Sequence, residues 1–123
     1  MGILASILIA AQIFFVSYEP QEAFLIKTPD IYYEWNDELE ECTGYDVNID
    51  DIDFYVVPGQ YWYSLLNGYV EGEYIPTELG RRARILLAEP LIFSSWLVKH
   101  ELAHHHLQMP GHPEPPFNDC EYR

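Results

Sequence analysis

The chain has few basic residues. Six Lys plus Arg stand against twenty Asp plus Glu, which gives a formal net charge of −14 at pH 7. A surface of this charge repels a phosphate backbone, so the composition argues against a nucleic-acid partner. It suits cationic ligands instead, although carboxylates of this kind commonly do no more than keep a protein in solution.

Long apolar runs are equally scarce. Residues 2–16 form one, interrupted by Ser6 and Gln12, and it is too short to span a bilayer comfortably. It has the length and position of a signal-peptide core, but no basic residues precede it and no convincing cleavage site follows it. We therefore expect residues 1–18 to be a signal peptide or an N-terminal apolar segment. The alternatives are a buried N-terminal helix of the mature domain and a segment whose true start codon lies upstream.

Cysteine is rare as well. Cys42 and Cys120 lie far apart, and their spacing resembles no zinc-ligand pair such as C-x-x-C. A disulfide is favoured, because closing a loop of that length contributes up to about 4 kcal/mol and fastens the C-terminal tail to the domain. Two reduced thiols in a cytosolic protein are the alternative, and the choice depends on whether the chain is exported.

The remaining residues, 19–123, are enough for one domain with one hydrophobic core. A first helix is expected to begin at Thr28–Pro29–Asp30, with Thr28 as the capping residue, and to end at Gly44. Its buried stripe follows helical spacing. The stripe consists of Ile31, Trp35, Leu39 and Cys42.

Short apolar runs predict strands at Phe54–Val57 and Arg84–Ala88. Between them, the aromatic and glycine-rich stretch 60–74 fits a long loop or a hairpin. A second helix is expected to begin after Pro90. The residues expected to be buried at its start are Ile92, Phe93, Trp96 and Leu97.

One segment on this second helix is far more specific than the rest. His100–Glu101–Leu102–Ala103–His104 has the H-E-x-x-H arrangement that zinc hydrolases place on a helix. With about 3.6 residues per turn, His100 and His104 point the same way and can bind one metal ion. Glu101 then lies beside the metal, where it can act as a base.

The chemistry explains the residue types. Neutral imidazole binds zinc well, three protein ligands leave one coordination position open for water, and the ion lowers the pKa of that water to about 7. A nearby carboxylate can take the proton of the water and pass it to a leaving amine. The sequence therefore predicts Zn²⁺ as the cofactor and Glu101 as the catalytic base.

Two histidines do not complete such a site. His112 is the preferred third ligand, because Gly111 allows a turn after the helix and Pro113 restricts the backbone that presents the imidazole. Glu114 and Asp119 are the alternatives. The adjacent pair His105–His106 points to other faces of the helix and is expected at the surface or as hydrogen-bond partners of the ligands.

The segment His100–His104 resembles the zincin metallopeptidase motif, and a strand precedes the active-site helix in that fold as residues 84–88 do here. The chain departs from metzincins, because Leu107 and Pro110 stand where that branch has a glycine and a third histidine. It also lacks the downstream glutamate helix of gluzincins. We therefore do not expect the chain to belong to either branch.

A closer resemblance is to small, uncharacterised, exported bacterial proteins that share V-[KR]-H-E-x-x-H, then G-H-P, then a terminal cysteine. Here these are Val98–Glu101, Gly111–Pro113 and Cys120. The resemblance supports His112 as a ligand and Cys42–Cys120 as a pair. It implies an α+β, zincin-like domain over residues 19–123, with the active-site helix packed on a short β-sheet.

The expected function is zinc-dependent hydrolysis of a peptide or protein substrate. The protein is expected to be exported to the periplasm or the extracellular space, and its mature form is expected to have no stable membrane span. One rival is a non-catalytic metal-binding protein, in which the run His104–His106 captures a transition metal. Another is a degenerate zincin domain that serves as an interaction module.

Overall fold

A four-stranded sheet separates two helices on one face from a β-hairpin on the other. The computed structural model describes residues 20, 22–109, 111–113, 117 and 120. The apolar run 2–16 and the alternative ligands Glu114 and Asp119 lie outside these residues. Within them, no helix has both the length and the apolar character needed to cross a membrane.

The fold is α+β, as expected. Its strands and helices in chain order are β1 (Phe24–Ile26), α1 (Asp30–Thr43), β2 (Ile52–Val57), β3 (Trp62–Ser64), β4 (Gly68–Val70), β5 (Gly72–Ile75), β6 (Ala83–Ala88) and α2 (Ser95–Leu107). Two 3₁₀ turns, Ile49–Asp51 and Glu89–Leu91, precede β2 and follow β6.

The main sheet has the order β1-β2-β6-β5, with β2 and β6 parallel and both outer pairs antiparallel. Alternate side chains point to opposite faces, as a pleated strand requires. Phe54 and Ile85 pack against the helices, whereas Leu86 and Ala88 pack against the hairpin β3–β4. All six residues of β6 are buried, which explains its nearly continuous apolar sequence, and its one charged residue, Arg84, pairs with Glu78.

The predicted strands and hairpin are confirmed. Residues 54–57 and 84–88 lie within β2 and β6, and β3 pairs antiparallel with β4 inside the stretch 60–74. The sequence did not predict β1 or β5. Both are short edge strands, and β5 begins with a glycine and buries Glu73, so neither has the alternation of a typical strand.

Helix α1 ends as predicted, in a left-handed Gly44 (φ 79°) whose N–H donates to the carbonyl of Glu40. The capping role predicted for Thr28 is wrong. Pro29 occupies the N-cap, without a side-chain hydrogen bond, and its carbonyl accepts the first bond of the helix, from Tyr32 at 2.9 Å. Thr28 therefore lies one residue before the helix.

Of the predicted stripe on α1, Leu39 is fully buried and the other three residues are partly buried against the core. The stripe is wider than the apolar pattern indicated, because Tyr32 and Asn36 are also buried.

Helix α2 begins later than predicted. The chain after Pro90 forms a 3₁₀ turn, and the helix starts at Ser95, where the hydroxyl of Ser94 accepts the N–H of Leu97. Leu97 is buried and Ile92 is partly buried, but the predicted burial of Phe93 and Trp96 is wrong: they are 67% and 39% exposed. The delayed start rotates both side chains away from the core.

Polar groups join the two helices. His106 donates from Nε2 to Oδ1 of Asn36 (2.8 Å), and its Nδ1 accepts from the hydroxyl of Thr43 (3.1 Å). Asn36 in turn donates to the carbonyl of Val47. The expectation that His106 lies at the surface is wrong, because this network lets a polar ring be buried between α1 and α2.

We expect Asn36→Ala to lower the free energy of unfolding by about 1–3 kcal/mol, because it removes the acceptor of the buried Nε2–H of His106 and the donor to the carbonyl of Val47. Urea denaturation measures the loss. Asp37→Ala, at the neighbouring exposed position of the same helix, is the matched control and should change stability by less than about 0.5 kcal/mol. Equal midpoints for the two variants would contradict the role of Asn36.

Candidate metal centre

Three histidines converge at the C-terminal half of α2. His100 and His104 lie one turn apart, and His112 returns from beyond the helix to face them. One ring nitrogen of each lies within 4.8 Å of the others, and Nε2 of His100 is 3.2 Å from Nε2 of His112. The structure thus brings together the three residues that the sequence selected as ligands.

The separations suit one metal ion. A tetrahedral zinc site with metal–nitrogen bonds of about 2.0–2.1 Å holds its nitrogen ligands about 3.3 Å apart. The His100–His112 pair has nearly this spacing, and small ring rotations bring His104 to it. Three imidazoles leave a fourth position open, but they also suit copper, iron and nickel, so the donor set alone does not identify the ion.

A backbone carbonyl orients His104. Nδ1 of this ring lies 3.0 Å from the carbonyl oxygen of Met109, and since a carbonyl can only accept, Nδ1 carries the hydrogen. Nε2 therefore keeps its lone pair for a metal. Burial lowers the pKa of His104 to about 4, against the opposing effect of this hydrogen bond, so the ring is neutral at pH 7, as a ligand must be.

The chain reverses immediately after the helix. Gln108 adopts a left-handed conformation (φ 56°), and the N–H groups of Gln108 and Met109 donate to the carbonyls of His105 and His104. The side-chain amide of Gln108 also donates to the carbonyl of His105 (2.7 Å). The sequence predicted a turn here but placed it at Gly111. The reversal begins at Gln108, and it directs His112 back towards α2.

A buried ring supports the three imidazoles. Phe117 is 2% exposed, and its ring centroid lies 5.1, 4.8 and 4.9 Å from those of His100, His104 and His112. The sequence analysis missed this residue. Its place between the third ligand and the terminal cysteine is the only signal that could have indicated it.

The predicted disulfide is confirmed. Cys42 of α1 and Cys120 are bonded, with their Cα atoms 5.8 Å apart, and Cys120 is buried. The bond fastens the tail to the domain three residues after Phe117. The segment that carries His112 is thereby held at both ends, by the helix reversal and by the disulfide.

Glu101 lies against the edge strand β5. Its side chain is buried, and a Cβ added at Gly72 would lie only 3.2 Å from its Oε2 and 3.0 Å from Cδ1 of Leu97. Gly72 is therefore the residue that lets α2 and β5 approach each other beside the histidines. This contact depends on tertiary packing, so no local sequence pattern indicates it.

Two cavities open onto the centre, and both are lined by His100, Glu101 and Gly72. The larger, of about 710 Å³, extends past Trp96 towards the hairpin β3–β4. The smaller, of about 320 Å³, also reaches His104 and His112. Glu101 and the open side of the three histidines thus share one cleft between α2 and β5.

His105 is buried, so its expected position at the surface is wrong. A hydrogen bond of 2.9 Å joins its Nδ1 to the hydroxyl of Tyr74, whose ring stacks on His104 with centroids 6.3 Å apart. Burial lowers the pKa of His105 and raises the pKa of Tyr74 to about 12, so both groups are neutral at pH 7. Tyr74, a residue that the sequence did not single out, thus links His105 to the centre.

We expect the chain to bind one equivalent of Zn²⁺ and His112→Gln to weaken binding by about a hundredfold or more, since even changes to the hydrogen-bond partners of metal ligands cost 10–100-fold. Competition with a chromophoric chelator measures the affinity. His105→Gln is the matched control: it alters the adjacent ring on another face of α2 and should retain the metal. If both variants lose the metal, the run His104–His106 is favoured as the binding site instead.

Replacing both Cys42 and Cys120 with serine should weaken Zn²⁺ binding on the order of tenfold, because the released tail presents His112 at a lower effective concentration. The same pair of replacements in a His112→Gln background should have no further effect. If the losses of Zn²⁺ affinity from the cysteine replacements and from His112→Gln are additive, the disulfide affects the centre through residues other than His112.

Comparisons of the chain with protein-family models, with curated proteins and with solved structures found no match.

Proposed function

We propose that the protein is a zinc-dependent peptide hydrolase, with His100, His104 and His112 as metal ligands and Glu101 as general base. The observation that carries the proposal is the convergence of three imidazole nitrogens beside a buried glutamate at the floor of one cleft. The H-E-x-x-H spacing on α2 and the resemblance to zincin metallopeptidases support it.

A zinc ion at this position would supply Lewis acidity, polarising a scissile carbonyl and lowering the pKa of a nearby water to about 7. Glu101 accepts one proton from the attacking water and delivers it to the amide nitrogen as the C–N bond breaks, while the water oxygen bonds to the carbonyl carbon. Because Glu101 is only 4% exposed, little solvent competes for this proton.

The edge strand offers a place for the substrate. β5 lies at the end of the main sheet, so one row of its backbone groups is not paired within that sheet. A third cavity, of about 250 Å³, continues the cleft along β5 past Tyr74 and Met109. An extended peptide can therefore add to β5 as a further strand, with its scissile bond beside Glu101.

The disulfide supports export as part of the proposal. Bonds of this kind persist in the oxidising periplasm or extracellular space and are rare in the cytosol.

The rival function, metal capture by the run His104–His106, has less support. Tyr74 holds His105, and Asn36 and Thr43 hold His106, each on a face of α2 away from the three converging nitrogens. A metal carrier could also bind through His100, His104 and His112. It would differ from the hydrolase only because it needs no general base such as Glu101.

Glu101→Gln separates these functions. The variant should keep one equivalent of Zn²⁺ but lose about 10²–10⁴-fold in kcat/KM on a peptide library analysed by mass spectrometry, because the amide cannot take the proton. Glu34→Gln, at an exposed position of α1, is the control and should retain activity. Stoichiometric zinc with no cleavage by the unaltered chain would favour the carrier, and absence of bound zinc would favour an interaction module.

A further inference from the structure

The charged side chains that line the cleft are acidic. Among the described residues that line its three cavities, none is Lys or Arg. Four are glutamates, Glu71, Glu73, Glu78 and Glu101, of which Glu78 is paired with Arg84 at 3.1 Å. Because the whole chain also has a net charge of −14, the potential in the cleft favours a cationic substrate.

The larger cavity adds aromatic rings to this charge. Tyr61 and Tyr69 line it from the hairpin and meet edge to face, with centroids 5.6 Å apart. Trp96 lines it from α2 and stacks on His100 at 5.5 Å. Glu71 lines the same cavity. Aromatic faces beside a carboxylate bind a planar guanidinium well, since the rings attract the cation and the carboxylate accepts its hydrogen bonds.

A buried carboxylate strengthens the field. Glu73 is 4% exposed, its Oε2 accepts from the hydroxyl of Ser64 and the amide of Asn67, and its Oε1 has no hydrogen-bond partner among the described residues. Glu73 lines the two smaller cavities. A negative group removed from water is screened less than one on the surface, so it acts on a ligand across the cleft.

We infer that the cleft selects basic peptides, with an arginine side chain held between Tyr61, Tyr69 and Trp96 beside Glu71. The inference rests on the proposed function in so far as it takes a peptide as the occupant of the cleft. An apolar side chain also fits an aromatic wall, but it gains nothing from the carboxylates and must displace their water.

The test compares peptides that differ in one side chain. A short, blocked Gly/Ser peptide with one central arginine is titrated into the full-length chain by calorimetry, after a chelator has removed metal so that no cleavage occurs. Matched peptides carry citrulline, which has the same shape without the charge, or norleucine. The arginine peptide should bind about five- to tenfold more tightly than either.

Two variants test whether the aromatic rings and Glu71 cause the preference for arginine. Tyr69→Leu keeps an apolar surface but removes the ring, and Glu71→Gln removes the charge; each should reduce the arginine-to-citrulline ratio about threefold. Both positions are exposed, so the fold should tolerate the changes. Tyr45→Leu and Glu34→Gln, at exposed positions that line none of the three cavities, should leave the ratio unchanged.

Equal binding of the arginine and citrulline peptides, or a preference for norleucine, would overturn the inference. Since this binding is measured without metal, it is independent of catalysis. If the arginine preference is found and the zinc-loaded chain cleaves no peptide, the selectivity stands and the hydrolase proposal fails. If the zinc-loaded chain cleaves peptides but the arginine peptide binds no more tightly than the citrulline peptide, the hydrolase proposal stands and the inferred selectivity fails.

Discussion

The centre depends on the hydrogen bond from Nδ1 of His104 to the carbonyl of Met109. This bond determines which nitrogen of His104 keeps its lone pair, and it holds the chain in the reversal that follows the left-handed Gln108. Two histidines on a helix acquire a third ligand because the helix stops at this point and the next residues turn back. Phe117 and the disulfide then fix the far end of the returning segment, so His112 has little freedom to move away.

The rotation of α2 about its axis is fixed by buried polar contacts. Nine of its thirteen residues are buried, including several that carry polar groups, and a buried polar group without a partner is costly. Different elements supply the partners: Lys99 pairs with Glu38 of α1, His105 with Tyr74 of β5, and His106 with α1. These contacts lie on several sides of the helix and cannot all be kept if it rotates. The motif residues must therefore face the cleft.

Local patterns could be read from the sequence, and contacts between distant segments could not. The glycine that ends α1, the apolar run of β6 and the spacing that places His100 and His104 one turn apart on α2 depend on near neighbours in the chain. The helix end, the strand and the facing pair of histidines are all confirmed. The position of His112 was also predicted, from Gly111 and Pro113. His106 was misplaced because its partner, Asn36, lies seventy residues earlier in the chain. The burial of Phe93 was wrong because a 3₁₀ turn delayed the start of the helix.

The edge strand β5 contacts both the candidate metal centre and the hairpin. Gly72 of β5 makes room for Glu101, Tyr74 stacks on His104, and Glu73 accepts hydrogen bonds from Ser64 and Asn67 of the hairpin. The proposed base, a candidate metal ligand and the hairpin β3–β4 are therefore all contacted by three consecutive residues of β5. At least one of the many carboxylates in the chain thus does more than keep the protein in solution, because Glu73 ties the hairpin to the strand that borders the cleft.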